Sequence, residues 1–469
     1  TVLTNTSIGS FMSQLDANIV LISLPTIIRD LPGTTTLDGL WVIMGYMLVT
    51  ATLLLTFGRI ADIYGRVRLY NLGFAIFTVA SGLCSVAPNG TTLVIFRLLQ
   101  GVGGALIFSN NSAILTDAFP PDERGRAIGL NLVVAVSGSV VGLVLGGILS
   151  ATLGWRSIFW INLPVGAFAT TWAYARLKEL AKVEKAPLDP LGNFLFAAGL
   201  SIFLFGMTFG AVAGFTPLDN GLMILGLLML GAFLYVEMKV RSPMMDLTLF
   251  KIRAFSAGQF SNLLASLARG AVLLLLVFYF QGALLLDALT AGILLIPFSV
   301  AFVSLGPLSG YLSDKYGARA FSTGGLIVSA AALLWFSVLP ASVPYTILLL
   351  PMIMVGLGGG MFVAPNIASI MNASPVSRRG IASGISSTLV NAGFLLSLGV
   401  AFVVMATTMP ISTLQAIFAG LPVAANEVNV GLFMDAMHRM FQIMAVVSLI
   451  AAIPSSMRGP KYVHAGQGD

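Results

Sequence analysis

The sequence predicts an all-α integral membrane protein of fourteen transmembrane helices, and three observations carry that prediction. Of its 469 residues 57% are hydrophobic and 9% charged, and the mean hydropathy is +0.96, a composition that excludes a water-soluble globule. Apolar runs such as 271–279 and 347–370 continue without the residue-by-residue alternation that a membrane β-barrel requires. The octet Gly58-Arg-Ile-Ala-Asp62-Ile-Tyr64-Gly65 returns 252 positions later as Gly310-Tyr-Leu-Ser-Asp314-Lys-Tyr316-Gly317, each time directly after a long apolar run. Such a repeat marks a transporter built from two similar halves. Both copies are polar and basic, so both belong on one membrane face, with an even number of spans between them. Eight spans leave about 32 residues for each helix and its loop, whereas six would leave about 42.

Taken in order, nineteen-residue windows place the first seven spans at 7–28, 40–60, 69–87, 92–115, 125–150, 157–176 and 191–213. Seven more follow at 220–240, 256–281, 289–312, 320–339, 345–370, 381–406 and 434–456. Positive charge then orients them. The loops after even-numbered spans, with the C-terminal tail, hold nineteen of the twenty-four basic residues, among them Arg59, Arg66, Arg68, Arg124, Arg126, Lys178, Lys182, Lys185, Arg241, Lys315, Arg319 and Lys461. The opposite loops hold only Arg29, Arg156 and Arg439. Both termini are therefore expected on the cytoplasmic side of a plasma membrane, and the net charge of +6 reflects topology rather than nucleic-acid binding. The chain opens on Thr1 and is apolar by Ile8; the expectation is that a few residues precede it and that no cleavable signal peptide is present.

Several chemistries find no support in the residue inventory. The lone Cys84, inside an apolar run, cannot form an intrachain disulfide or a cysteine metal site, and His438 and His464 are too few and too far apart for a histidine metal cluster. Neither metal nor cofactor is expected. A phosphate-binding Gly-x-x-x-x-Gly-Lys-Ser/Thr loop is missing, so energy should come from an ion gradient.

Four motifs point to one family. The pattern Gly58-x-x-x-Asp62-x-x-Gly65-Arg66-x-Arg68 resembles the signature loop of the major facilitator superfamily. Span 4 carries Arg97-Leu-Leu-Gln100-Gly101-Val-Gly103-Gly104-Ala105, span 5 carries Gly138-x-x-x-Gly142-x-x-x-Gly146-Gly147, and span 6 opens with Trp155-Arg156-x-x-Phe159-x-x-Asn162-x-Pro164. With Leu15-Asp16-x-x-Ile19-Val20 in span 1, these look like the fourteen-helix drug/proton antiporter branch. That resemblance implies two six-helix bundles, spans 1–6 (residues 1–180) and spans 9–14 (residues 246–469), around two inserted helices, spans 7 and 8 (residues 181–245). One departure counts against antiport: Leu143 stands where the span-5 motif of antiporters usually has proline.

Asp16 is the sharpest single residue, because it stands near mid-membrane in span 1, where an ionised carboxylate costs several kcal/mol unless paired or hydrated. It reads either as a proton or cation site or as a structural hydrogen-bonded group, and the resemblance places a functional acid here. Arg97, inside span 4, is the natural partner to influence its proton. Arg269, inside span 9, has no obvious acidic partner at its depth and could attract an anionic group of the substrate. The glycines Gly138, Gly142, Gly146 and Gly147 let a neighbouring helix approach, either as plain packing or as a hinge. The repeated loops, with Gly58, Asp62, Gly65, Arg66 and Arg68 in one half and Gly310, Asp314, Gly317 and Arg319 in the other, read as gates rather than as topology signals alone.

Apart from Asp16 the spans hold almost no carboxylates, which disfavours a dicationic substrate. Asn18, Trp41, Tyr46, Gln100, Asn110, Asn111, Asn366 and Asn391 could line a cavity for amphipathic, neutral or singly charged compounds. The resulting expectation is a monomeric, proton-coupled secondary exporter of small amphipathic molecules, in contact with membrane lipid and working by alternating access. An exporter of lipids or glycolipids is the alternative on the same fold. A membrane-embedded enzyme would need His, Asp or Cys groups clustered at one depth, and none is visible in the sequence.

Overall fold

A computed structural model of the chain describes residues 2–120, 123–179, 188–240, 243–375, 378–422 and 427–458, with the side chains at 124–126, 314 and 427 left out. The expectations placed on Lys182, Lys185, Arg241, Lys461 and His464, and on the side chains of Arg124, Arg126 and Asp314, lie outside the described residues.

The described residues form helices and no strands. In order these are α1 (Val2–Asp30), α2 (Thr36–Tyr64), α3 (Arg66–Ser85), α4 (Gly90–Ala118), α5 (Arg124–Thr152), α6 (Ser157–Trp160), α7 (Asn162–Arg176), α8 (Pro190–Ala213) and α9 (Pro217–Glu237). The rest are α10 (Arg253–Arg269), α11 (Val272–Phe278), α12 (Ala288–Tyr316), α13 (Ala318–Phe336), α14 (Tyr345–Ala373), α15 (Arg379–Thr408), α16 (Ile411–Phe418) and α17 (Glu427–Ser456). A 3₁₀ turn at Leu247–Lys251 leads into α10, and a π-helical turn at Tyr279–Ala283 ends the span that α10 and α11 share.

Thirteen segments among the described residues are long and apolar enough to cross a membrane. The chain is an all-α, multi-pass membrane protein. The expected span at 157–176 is covered by α6 and α7, which meet at Ile161 in helical backbone geometry (φ −62°, ψ −27°), though neither alone is long enough to count among the thirteen. Near the junction Pro164 has no N–H to give the Trp160 carbonyl four residues earlier.

Helix starts follow local chemistry. Thr35 with Asp38 and Thr216 with Asp219 form reciprocal capping boxes for α2 and α9, and Asn89 and Asp189 cap α4 and α8. Asp287 receives Thr290 N at 3.0 Å and Thr290 Oγ1 at 2.6 Å before α12, and these hydrogen bonds hold its carboxyl below the usual range. The repeated octet ends each time in the same turn. Gly65 (φ +106°) and Gly317 (φ +90°) take a backbone conformation that favours glycine, and each donates its N–H at 2.8 Å to the carbonyl four residues back.

The chain divides into two compact units. Unit 1 comprises Thr1–Met244, Ala271–Ile296 and Leu398–Ala436; unit 2 comprises Met245–Gly270, Pro297–Ser397 and Met437–Asp469. Within unit 1, α5 lies directly on α1. A β-carbon on Gly138 would stand 2.5 Å from Phe11 O and one on Gly142 2.7 Å from Leu15 O, so glycine alone permits this approach. Gly147 and Gly292 do the same for α5 and the start of α12, where added β-carbons would meet Leu289 Cα at 2.5 Å and Leu143 O at 2.4 Å. Tyr70, Phe74, Phe77 and Ile107 form part of its core. Unit 2 packs Ala265, Leu326, Phe362 and Ala451 in its own core.

Candidate functional site

Asp16 is the central residue of α1, fifteenth of 29, and it is 0% exposed. A charge so placed must find compensation inside the protein, and α4 supplies it. Arg97 Nη1 lies 2.6 Å from Asp16 Oδ2 in an ion pair with both side chains at or below 1% exposure. The other carboxylate oxygen, Oδ1, accepts from Gln100 Nε2 at 2.9 Å and from Asn162 Nδ2 at 2.8 Å. Side chains of two other helices, α4 and α7, therefore converge on the acid of α1.

The partners are in turn held. Arg97 Nε donates to Val42 O at 2.9 Å, Nη1 donates to Gln100 Oε1 at 2.6 Å, and the guanidinium carbon sits 4.5 Å from the centre of the Tyr46 ring. Gln100 Nε2 also donates to Ser81 Oγ at 2.8 Å. Each group that touches the carboxylate is thus fixed by a second contact, Asn162 through Ser81 Oγ at 3.5 Å, which holds the geometry of the cluster. The arrangement binds one negative charge, and protonating that carboxylate would leave the guanidinium without its counter-charge.

Asn162 and Ser81 are the functional contacts that sequence reasoning missed. Asn162 is part of the span-6 motif, and α7 carries it to within 2.8 Å of Asp16 Oδ1. Ser81 carries no sequence signal, being one small polar residue among many.

The loop after the second span forms a separate network. Arg66 pairs with Asp62 at 2.9 Å, and its Nη1 reaches both carboxylate oxygens of Asp117, at 2.8 and 2.7 Å. Glu179 accepts the N–H groups of Arg66 at 3.1 Å and Val67 at 2.9 Å, supplying the start of α3 with the anion that a helix N-terminus favours. Glu179 has no counterpart in the motif, so only the structure finds it. Gly58 has open space where a β-carbon would go, and Arg68 is exposed. In the second copy Gly310 would meet only Ala364 Cβ, at 3.6 Å, and Arg319 is exposed.

The remaining expected substrate contacts fall in several places. Tyr46 and Gln100 belong to the Asp16 cluster. Trp41 Nε1 donates to Thr208 Oγ1 of α8 at 3.2 Å, and Asn111 meets Ser10 and Asn131. Asn18, Asn110 and Asn391 donate to carbonyls of their own helices at 2.8 to 2.9 Å. In unit 2, Asn366 accepts from the buried Arg458, near the end of the described chain, while Arg269 stands beside Phe302 and Gly359. Among the described residues no group of His, Cys, Asp and Glu has metal-binding geometry.

Comparison with known proteins gives a consistent picture. A family model described as Major Facilitator Superfamily matches residues 6–245 and 259–457. The chain is 35% identical over 396 residues to the riboflavin transporter RibZ of Clostridioides difficile, covering 84% of this chain and 85% of that protein. It is 33% identical over 388 residues to the multidrug resistance protein Stp of Mycobacterium tuberculosis, covering 81% of this chain and 71% of Stp. Among solved structures, a bacterial homologue of the human lysosomal transporter Spinster, crystallised inward-facing and unoccupied, shares the fold with a TM-score of 0.63 at 16% identity, covering 97% of this chain and 96% of that one.

Proposed function

The chain belongs to the Major Facilitator Superfamily, and from that premise we propose that it is a proton-coupled secondary exporter of small amphipathic molecules. That it is a multi-pass membrane transporter of small molecules, and not an enzyme, follows from the family itself. The finer reading is ours. Relatives named for riboflavin transport and for multidrug resistance support a small organic substrate.

The observation that carries the coupling is the buried Asp16–Arg97 pair at the middle of α1. With Asp16 ionised, the pair is neutral and tightly bonded. A proton arriving on Asp16 removes the attraction, frees Arg97 from its partner and makes a different helix arrangement favourable, so that proton occupancy and conformation become linked. Substrate and proton would then cross in opposite directions as water access to Asp16 changes sides. In the same reading the chain has fourteen spans in two six-helix bundles with α8 and α9 inserted, works as a monomer in a plasma membrane, and keeps both termini cytoplasmic. The loops around Asp62 and Asp314 are its cytoplasmic gates, and the Arg66 network with Asp62 and Asp117 would latch one state.

Transport into inverted proteoliposomes with an inside-acid gradient tests the reading, using a cationic fluorescent dye and the neutral vitamin riboflavin. Uptake of either compound that needs both the gradient and Asp16 is expected, with Asp16→Asn reducing gradient-driven uptake at least tenfold. Gradient-driven uptake unchanged in Asp16→Asn would remove the proposed role of that carboxylate.

A further inference from the structure

We propose that Arg269 is the recognition point for an anionic group, a carboxylate or a phosphate-type oxyanion, on the amphipathic molecule that this transporter moves. The inference rests on the transporter reading above and narrows its substrate class.

Arg269 closes α10 and is the seventeenth residue of the thirty-one-residue span Arg253–Ala283. Phe302 and Gly359 are each the fifteenth residue of twenty-nine-residue helices, α12 and α14. The three mid-span positions meet within unit 2. The Arg269 guanidinium carbon lies 5.6 Å from the centre of the Phe302 ring, and a β-carbon at Gly359 would stand 2.7 Å from Arg269 Nη1 and 2.8 Å from Phe302 Cδ2. The absence of a side chain at Gly359 is what makes room for the guanidinium.

This cation lacks the compensation that Arg97 has. Its Nε donates to Ala265 O of its own helix at 3.3 Å, and among the described residues no carboxylate pairs with it. Among the described residues of unit 2, Arg269 therefore carries a positive charge at mid-span with no carboxylate beside it. A cation at that depth is costly unless it serves a pathway or a ligand. Arg269 as a whole residue is partly buried.

The chain runs on from Arg269 through Gly270 and Ala271, both in the right-handed helical region, into α11 at Val272. A guanidinium presents a planar fork of N–H donors that matches two oxygens of one anion, while the Phe302 ring flanks its face.

The test compares dansylglycine, an aromatic amphiphile with a carboxylate, with its neutral analogue dansylglycinamide. Binding to the full chain in phosphatidylcholine nanodiscs is read by energy transfer from tryptophan. The wild type is expected to prefer the carboxylate by about tenfold or more, as one charge-assisted bidentate contact would give. Arg269→Gln should lose that preference while binding the amide as the wild type does, and Arg269→Lys should recover part of it. Equal binding of the two probes by the wild type, no binding of either, or a preference that survives in Arg269→Gln overturns the proposal. A second arm replaces part of the lipid with phosphatidylglycerol. Displacement of dansylglycine assigns the anion to a lipid headgroup, retention assigns it to a free amphiphile, and either result supports the anion site.

No proton gradient is used, so the two readings fail separately. Loss of the charge preference with Asp16-dependent uptake of a neutral compound intact removes only the anion site. Loss of Asp16 dependence with the preference intact removes only the coupling.

Discussion

Arg97 and Asp16 hold each other in a place where neither charge is stable alone. Removing one member of a buried pair costs about 3–5 kcal/mol, because the survivor keeps its desolvation cost without its partner. Arg97→Gln should therefore lower the thermal unfolding midpoint in detergent, and the double variant Asp16→Asn/Arg97→Gln should recover much of that loss. Equal losses in the two variants would show that stability does not depend on the pairing. Glu179 offers a second test at this scale, since it satisfies two backbone donors at the start of α3 from an exposed position. Glu179→Ala should speed amide hydrogen exchange of the 65–70 segment by about fivefold, as expected for loss of a cap, and leave α13 unchanged. The depth of Asp16 was legible from its distance into an apolar run. Of its partners only Arg97 was legible as one, with Gln100 expected in a substrate cavity and Asn162 missed, because the side on which each leaves its helix depends on helix rotation.

Within α5, glycines that look alike in sequence differ in what surrounds them. Gly142 faces Leu15 O of α1, where an added β-carbon would come within 2.7 Å, whereas nothing lies within 4 Å of the same atom at Gly129. Gly142→Leu should abolish transport and reduce the yield of folded protein. Gly129→Ala should be neutral or stabilising by about 0.5–1 kcal/mol, the usual helix gain over glycine; comparing the two unfolding midpoints checks both. At the junction of α6 and α7, Asn162 reaches Asp16. Asn162→Ala should cut gradient-driven transport about tenfold, a loss of one hydrogen bond to a charged group. Pro164 was visible in the sequence, but which side chain of this segment meets Asp16 was not.

For the molecule as a whole, the arrangement of basic residues predicts one orientation. Single cysteines introduced at Arg68 and Lys178 should resist a membrane-impermeant maleimide in intact cells and react in inverted vesicles. A cysteine at Gly33 or Gly154 should show the reverse. The native Cys84 is buried and should remain unlabelled. Labelling of Arg68→Cys from outside intact cells would overturn the proposed topology.

What the sequence by itself determined is the class and a repeated turn: composition made this a helical membrane protein, and the octet Gly58–Gly65 recurs at Gly310–Gly317 with the same glycine turn at its end, since hydropathy and turn-forming glycine act locally and can be read one residue at a time. What only the tertiary structure decided is which charges meet. Arg97 and Arg269 both appear in sequence as arginines inside apolar spans, yet α4 turns one onto Asp16 while α10 turns the other onto Phe302 and the space at Gly359. The difference lies in helix rotation, which is set by packing between segments far apart in the chain and cannot be read from either segment alone.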